Sequence, residues 1–382
     1  MLADANQYAK IHGDRPFKNG QYTETVTPAQ WNDLDGCGGT DGWAGEESLD
    51  VEAVHAMAPA ANLHYYGANS CRDADIFDVL ETIDATHGAD IVSDSWDGVL
   101  YSTSGDEDPT AIAEYNRLFA QGSIEGISYQ FSSGDCGADD PATLCALATG
   151  SAMPQAEFPS SSPWVTAVGG TSLAIGEYNQ QLWNTAWGTH VWGLENGAWT
   201  LGGWAFGAGG GTSSVFSEPF YQKGVVPTTL AGTLPDGTKV AGPMRVAPDV
   251  SLDADPLTGF LAGMTGTLSD GSTGFAEADI GGTGLACPLF AGLQADAVQA
   301  QGGQELGLAG PAIYARSAGP AVTDVTATGS GTRAGNVLPP AQGTPAIIVT
   351  FGDDQLLKAG RGYDDAIGVG TPSPFYLWSH LF

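Results

Sequence analysis

The chain has 382 residues, with 44 acidic against 12 basic side chains and a formal net charge of −32. That balance excludes nucleic-acid binding through a basic patch; it suits a protein that works in acid or binds cations, and equally one adapted for solubility or salt. The 42% hydrophobic content is enough for one large core or two smaller ones, no apolar run reaches the length of a membrane span, and 55 glycines without a triplet period exclude collagen.

The opening stretch "MLADANQYAKIHGDRP" has no basic start, apolar stretch or cleavage site, so it does not read as a signal peptide. Residues 2–12 are expected to be helical and 13–45 loop-rich. A helix follows, with Ser48 as its cap and Pro59 at its end. A strand over 63–68 leads to an amphipathic helix over 73–86, whose apolar face carries Ile76, Val79, Leu80 and Ile83. Residues 89–96 read as a buried strand, 108–123 as a helix, and 126–135 as a strand entering a turn. Such alternation predicts a parallel sheet with crossover helices, with ligands at the carboxyl ends of the strands. A further strand is expected over 162–175, Trp- and Gly-rich hairpins over 176–215, and a turn into a long buried helix over 281–299. Short strands and a dense set of Asp and Gly occupy 310–382. No linker or repeat divides the chain, which reads as one domain over 1–382.

Several residues stand out by type and spacing. "IGGTGLACPLFAG" (280–292) has the form of a Gly-rich turn and helix start that presents a nucleophilic serine. The hydroxyl is missing, because Gly284 stands where it would be; by itself the stretch is equally an ordinary turn before a helix. Glu46 and Asp50, four apart, share one helix face, where paired carboxylates shift each other's pKa; acids in a first helical turn also serve the helix dipole. Asp135 ends "FSSGD" and fits either a site acid or a turn. "TDVTATG" (323–329) and "AGRGYDD" (359–365) offer carboxylates and carbonyls to a hard cation, or form two Asp/Gly turns. Cysteines at 37, 71, 136, 145 and 287 lack zinc spacing. Pairs 37–71 and 136–145 would close short loops and leave Cys287 free and buried. None of the six histidines stands in a catalytic context; they read as structural or surface residues.

These segments together resemble the sedolisins, the serine-carboxyl peptidases related to subtilisins. The likeness runs in order through "GEESLDVEAVHAMAPAA" (45–61), "SSGDCG" (132–137), "FPSSSPWVTAVGGTSL" (158–173), "GGGTSSVFSEPFYQ" (209–222), "RVAPDVSLDADPLTGF" (245–260) and "AGRGYDDAIGVGTPSP" (359–374), nearly the whole chain. It implies a subtilisin-like three-layer α/β fold, with a central, mostly parallel sheet flanked by helices. It assigns Glu46 as general base, Asp50 as its orienting partner, Asp135 to the oxyanion hole, and position 284 to the nucleophile. It implies calcium as cofactor, held by Asp324, the carbonyls of Val325, Gly360 and Gly362, and Asp364, within the 310–382 segment. It also implies protein or peptide substrates, acidic working pH, no membrane or nucleic-acid partner, and a secreted, extracellular monomer.

Two features depart from the family. Gly284 cannot form an acyl-enzyme. The family's further Val- and Ile-rich strand ahead of the 2–12 helix, and its folding prodomain, are not in the sequence, so the domain reads as truncated at its N-terminus, with sheet edge and core expected to be exposed. Three readings follow: an acidic endopeptidase scaffold with little or no turnover as written, a pseudo-peptidase that binds peptides or protein partners, or a non-enzymatic calcium-binding module. Retention of the acids and the Gly-rich loop speaks against the third.

Overall fold

The computed structural model describes residues 1–102, 105–138, 153–268, 270–326, 335–338, 347–352 and 356–381. Its centre is a parallel sheet in which Val250–Asp253 pairs with Thr166–Ile175, which pairs with Ser128–Ser132, which pairs with Ile91–Asp94. Gln181–Ala186 joins antiparallel to the far half of Thr166–Ile175. A separate parallel pair is formed by Tyr22–Thr25 and Leu63–Tyr66.

Helices cover both faces, which is why the middle strands are apolar without alternation. All five residues of Ser128–Ser132 are buried. On one face, Asp73–Thr86 and Pro109–Glu125 pack Leu80, Ile83, Tyr115, Leu118 and Phe119 against Tyr129 and Phe131. The opposite face holds Ala44–Met57 and Thr283–Ala300, which pack on each other; the latter contributes Ala286, Cys287 and Phe290 to a core shared with Val168 and Val250. The result is the three-layer α/β arrangement with a mostly parallel centre.

Local chemistry sets several boundaries. Pro109 opens its helix at N1, the Thr110 N–H donates to the Asp108 carboxylate at 2.8 Å, and Gly126 ends the helix with φ 103°. The helix over 73–86 has the expected bounds.

Elsewhere the structure corrects the expectation. The helix carrying Glu46 starts at Ala44, not at Ser48. Ser48 is buried inside it, and the Glu47 N–H donates to the Trp43 carbonyl at 2.9 Å, which extends the helix back by a turn. The loop-rich 13–45 region contains Tyr22–Thr25, a strand too short and too exposed for its pattern to be read. Helices Gly310–Arg316 and Phe375–Trp378 lie among the expected C-terminal strands. Cys37 is bonded to Cys71, and Cys287 is free and buried. Cys136 is disulfide-bonded, and Cys145, its expected partner, lies outside the described residues.

One buried ion pair ties the core together. Arg245 and Asp249 are fully buried, and the Arg245 Nη1 and Nη2 groups donate to the two Asp249 oxygens at 2.8 and 2.6 Å. Tyr314 Oη and the Ala167 N–H complete the carboxylate's partners. Removing the cation strands a buried charge, so Arg245→Met is expected to cost roughly 3–5 kcal/mol. Urea unfolding of the two proteins side by side measures it; a loss under about 1 kcal/mol contradicts the account.

Candidate active site

Four chain segments meet at the carboxyl ends of the central strands. The helix over 44–57 presents Glu46 and Asp50 from its first two turns. The segment after Ile91–Asp94 brings Ser95, and the turn after Ser128–Ser132 brings Asp135. The helix over 283–300 begins with Thr283 and Gly284.

The turn into that last helix is built for close approach. Gly282 has φ 107°, and a Cβ there would come within 2.8 Å of Asp135 Oδ2; both facts require glycine. At Gly284 a Cβ would press against Glu46 Oε1, with Ser95 Cβ 3.4 Å away. The Glu46 carboxylate therefore fills the space where a side chain at 284 would begin.

Pro288 lies inside this helix, as its sixth residue. Having no N–H, it cannot bond to the carbonyl four residues back, which is that of Gly284. Ser95 substitutes: its Oγ lies 3.0 Å from the Gly284 oxygen and 2.7 Å from Asp50 Oδ1. A hydroxyl has one proton to donate. If Ser95 gives it to the carbonyl, which only accepts, the proton between Ser95 and Asp50 comes from Asp50. Both contacts are satisfied only when Asp50 is protonated. Desolvation, followed by the neighbouring Glu46 charge, pushes the Asp50 pKa well up, in agreement.

Asp135 accepts hydrogen bonds at Oδ1 from the Thr283 N–H at 2.7 Å and from Thr283 Oγ1 at 2.9 Å. These contacts fix Asp135 one residue from position 284. It is exposed to the cleft while Ser133, Gly134 and Cys136 beside it are buried. Desolvation by the surrounding protein raises its pKa, against the lowering pull of Thr283. Glu46 is pushed up to about 7, first by desolvation and then by the Asp135 charge.

Sequence reasoning missed Ser95, Asp94, Asp97 and Glu157. Desolvation raises Asp94 to about 7 and Asp97 to about 6, and Asp97 shares a hydrogen bond with Glu157. The signal was present in "SDSWDG", where three polar residues interrupt what was read as a buried strand.

The raised carboxyls carry a stability prediction. Unfolded carboxyls titrate near 3.9–4.3. The folded values here are higher, including Glu52, raised to about 8 by desolvation, so the folded state binds more protons between those limits. Stability is then fully present below about pH 4 and declines as pH rises through about 6–8. Calorimetry should give a higher Tm at pH 4.5 than at pH 8; a Tm that rises toward pH 8 contradicts the assignment.

Asp324 is hydrogen-bonded to the loop that carries Gly360, Gly362 and Asp364. The Gly362 N–H donates to Asp324 Oδ2 at 2.9 Å, and the Gly360 N–H to Asp364 Oδ2 at 2.7 Å. Asp364 Oδ1 accepts from the Ala366 and Ile367 N–H groups. Val325 is buried beneath, with Leu357 and Ile367. The two carboxylates and this loop supply hard oxygen donors, which fit calcium, though a cation here competes with three amides for Asp364. The end of "TDVTATG" lies outside the described residues. Of the histidines, His55 is buried and within 2.6 Å of the Arg15 carbonyl, and His64 is exposed between Thr23 and Thr25; neither is near the acids by any hydrogen bond.

No family model matches the chain. It is 30% identical over 340 residues to kumamolisin of Bacillus sp. (strain MN-32), covering 88% of this chain and 50% of the relative. It is 33% identical over 211 residues to sedolisin of Pseudomonas sp. (strain 101), covering 54% of this chain and 30% of the relative. The chain thus spans half or less of these relatives' lengths. The solved structure of Pseudomonas sedolisin, a serine-carboxyl proteinase complexed with two molecules of pseudo-iodotyrostatin, superposes with a TM-score of 0.69 at 22% identity. That superposition covers 100% of this chain and 89% of the other.

Proposed function

The chain belongs to the sedolisin family of serine-carboxyl peptidases, and on that footing we propose that it is an acid-adapted endopeptidase scaffold lacking its nucleophile. As it stands it binds peptide or protein segments outside the cell, as a monomer, with little or no turnover. The observation that carries this reading is that the Glu46 carboxylate lies where a side chain at 284 would begin, one residue from the Asp135-bound Thr283.

With serine at 284, Glu46 takes the hydroxyl proton as Oγ attacks the scissile carbonyl. Asp50, kept protonated by its place beside Ser95, holds that corner neutral so that Glu46 is the member that ionises. Asp135, protonated in acid, donates a hydrogen bond to the oxyanion. Glu46 then returns its proton to the leaving amine, and water completes hydrolysis of the acyl-enzyme. The alternative, a binding-only pseudo-peptidase, is favoured by Gly284 itself and needs the same cleft. Hydrolysis of a protein substrate near pH 4 by the unaltered chain and by Gly284→Ser, side by side, tests the proposal.

Asp324, Asp364 and the carbonyls of Val325, Gly360 and Gly362 would hold calcium, which would neutralise two carboxylates and pin the loop. Chelation should cost about 2–3 kcal/mol relative to calcium a hundredfold above its Kd. Asp324→Asn should remove that difference; a chelator-insensitive Tm in the unaltered chain rules the site out.

A further inference from the structure

Three side chains with metal-binding chemistry converge at the amino end of the central sheet, away from the acids. His87 Nε2 is 3.4 Å from Glu305 Oε1 and 3.9 Å from Asp90 Oδ1. One donor atom from each residue lies within 4.8 Å of the other two, and all three side chains are exposed. Asp90 precedes Ile91–Asp94, whose far end leads to Ser95. The length of that strand, about 13 Å at 3.3 Å per residue, separates the cluster from the Asp50 corner.

Backbone contacts hold the three positions. The helix over 73–86 ends on His87, which is left-handed at φ 47°. The His87 N–H donates to the Asp84 carbonyl at 3.2 Å and the Gly88 N–H to that of Ile83 at 2.9 Å, which fixes where the ring leaves the chain. The Ser128 N–H donates to the Asp90 carbonyl at 2.9 Å, and the Gly307 N–H to the Gly126 carbonyl at 3.0 Å. A Cβ at Gly126 would stand 3.3 Å from Glu305 Cβ; glycine there lets the glutamate lie close over the helix end.

The separations are those of ligands around an ion rather than of a hydrogen-bonded pair. N–H···O bonds run about 2.7–3.2 Å, and among the described residues no hydrogen bond links His87 to either carboxylate. A tetrahedral zinc with bonds of about 2.0–2.2 Å sets its ligands about 3.3–3.6 Å apart. Exposed side chains reach that spacing by small rotations. Among the described residues no Lys or Arg forms an ion pair with Asp90 or Glu305. The buried Asp84, whose Oδ2 has no hydrogen-bond partner, is within electrostatic range of His87 and adds to the negative field.

We propose that His87, Asp90 and Glu305 form a site for a divalent transition-metal cation of the zinc class. The ligands are the imidazole Nε2, one oxygen of each carboxylate, and water at the fourth position. Imidazole suits zinc, nickel or copper, whereas calcium and magnesium take oxygen, so the site differs in kind from the oxygen donors at Asp324 and Asp364. A bound ion ties the end of the helix over 73–86 and the start of Ile91–Asp94 to the segment that follows the helix over 283–300. It therefore anchors the far end of the helix that begins beside position 284.

The test is calorimetric titration of zinc into the full chain at about pH 7.5, where an ordinary imidazole is mostly neutral, with calcium present to occupy oxygen-only sites. One zinc should bind per chain, at least about ten-fold more tightly than magnesium does. His87→Gly removes the ring and suits the left-handed backbone; Glu305→Gln keeps the shape and removes the charge. Each should weaken binding by about ten-fold or more, since even residues that only support a ligand are worth about 10–100-fold. Zinc at a hundredfold over its Kd should raise the Tm of the unaltered chain by at least about 2 °C and leave that of His87→Gly unmoved. Without zinc, both variants should melt with the unaltered chain, because the side chains they change are exposed. Absence of saturable binding, equal affinity for magnesium, or zinc binding unchanged in both variants overturns the site, the last by placing the ion on other carboxylates.

Discussion

Gly284→Ser is expected to turn a chain with background peptidase activity into one that cleaves protein at acidic pH. In serine peptidases the loss of the nucleophile costs up to about 10⁶ in kcat, and what remains comes from oxyanion stabilisation and binding. Restoring it here should raise kcat by at least about 10³. The geometry accounts for both the gain and its limit. The atoms nearest the new Cβ are the end of the Glu46 side chain and, at ordinary contact, Ser95 Cβ. A carboxylate on a flexible stem can swing aside, and once displaced it lies within hydrogen-bond reach of the new hydroxyl. The backbone needs no change, since Gly284 is already helical. The gain should appear in kcat rather than KM, because the binding cleft is untouched.

Glu46→Gln in the Gly284→Ser background should then lower kcat by about 10²–10⁴, the usual contribution of a general base. The sign of the pH effect distinguishes this from a packing defect. Glu46 is pushed up to about 7 partly by the charge of Asp135; once Asp135 is protonated that contribution disappears, and Glu46 ionises at lower pH. Activity therefore needs two protonation states together: a charged Glu46 and a neutral Asp135. The rate should follow a bell on the acid side of neutrality. Glu46→Gln should remove the acid limb of that bell while leaving the limb set by Asp135. A variant that scales the whole profile down without changing its shape would make Glu46 structural.

Much of this site was legible because its chemistry sits in short segments. Glu46 and Asp50 are four apart on one helix, and "GGTG" is a turn that only glycine allows at 282. The helix over 73–86 could be read to the residue because its apolar face is regular. The start of the helix over 44–57 could not, because no side chain caps it and Ser48, the apparent cap, is carried inside. Ser95 was hidden for a different reason. Its role depends on Pro288 depriving the Gly284 carbonyl of a donor, and on Asp50, 45 residues away in sequence, holding the proton between them. No local pattern encodes that three-way contact.

The central claim is that position 284 is the nucleophile position of this scaffold. It is tested most directly by mixing Gly284→Ser with a nitrophenyl ester of a short peptide near pH 4, quenching in acid, and locating any covalent acyl group by peptide mass mapping. The account predicts one acyl group, on Ser at position 284, and none on the unaltered chain. An acyl group elsewhere, or the same adduct on the unaltered chain, would contradict it.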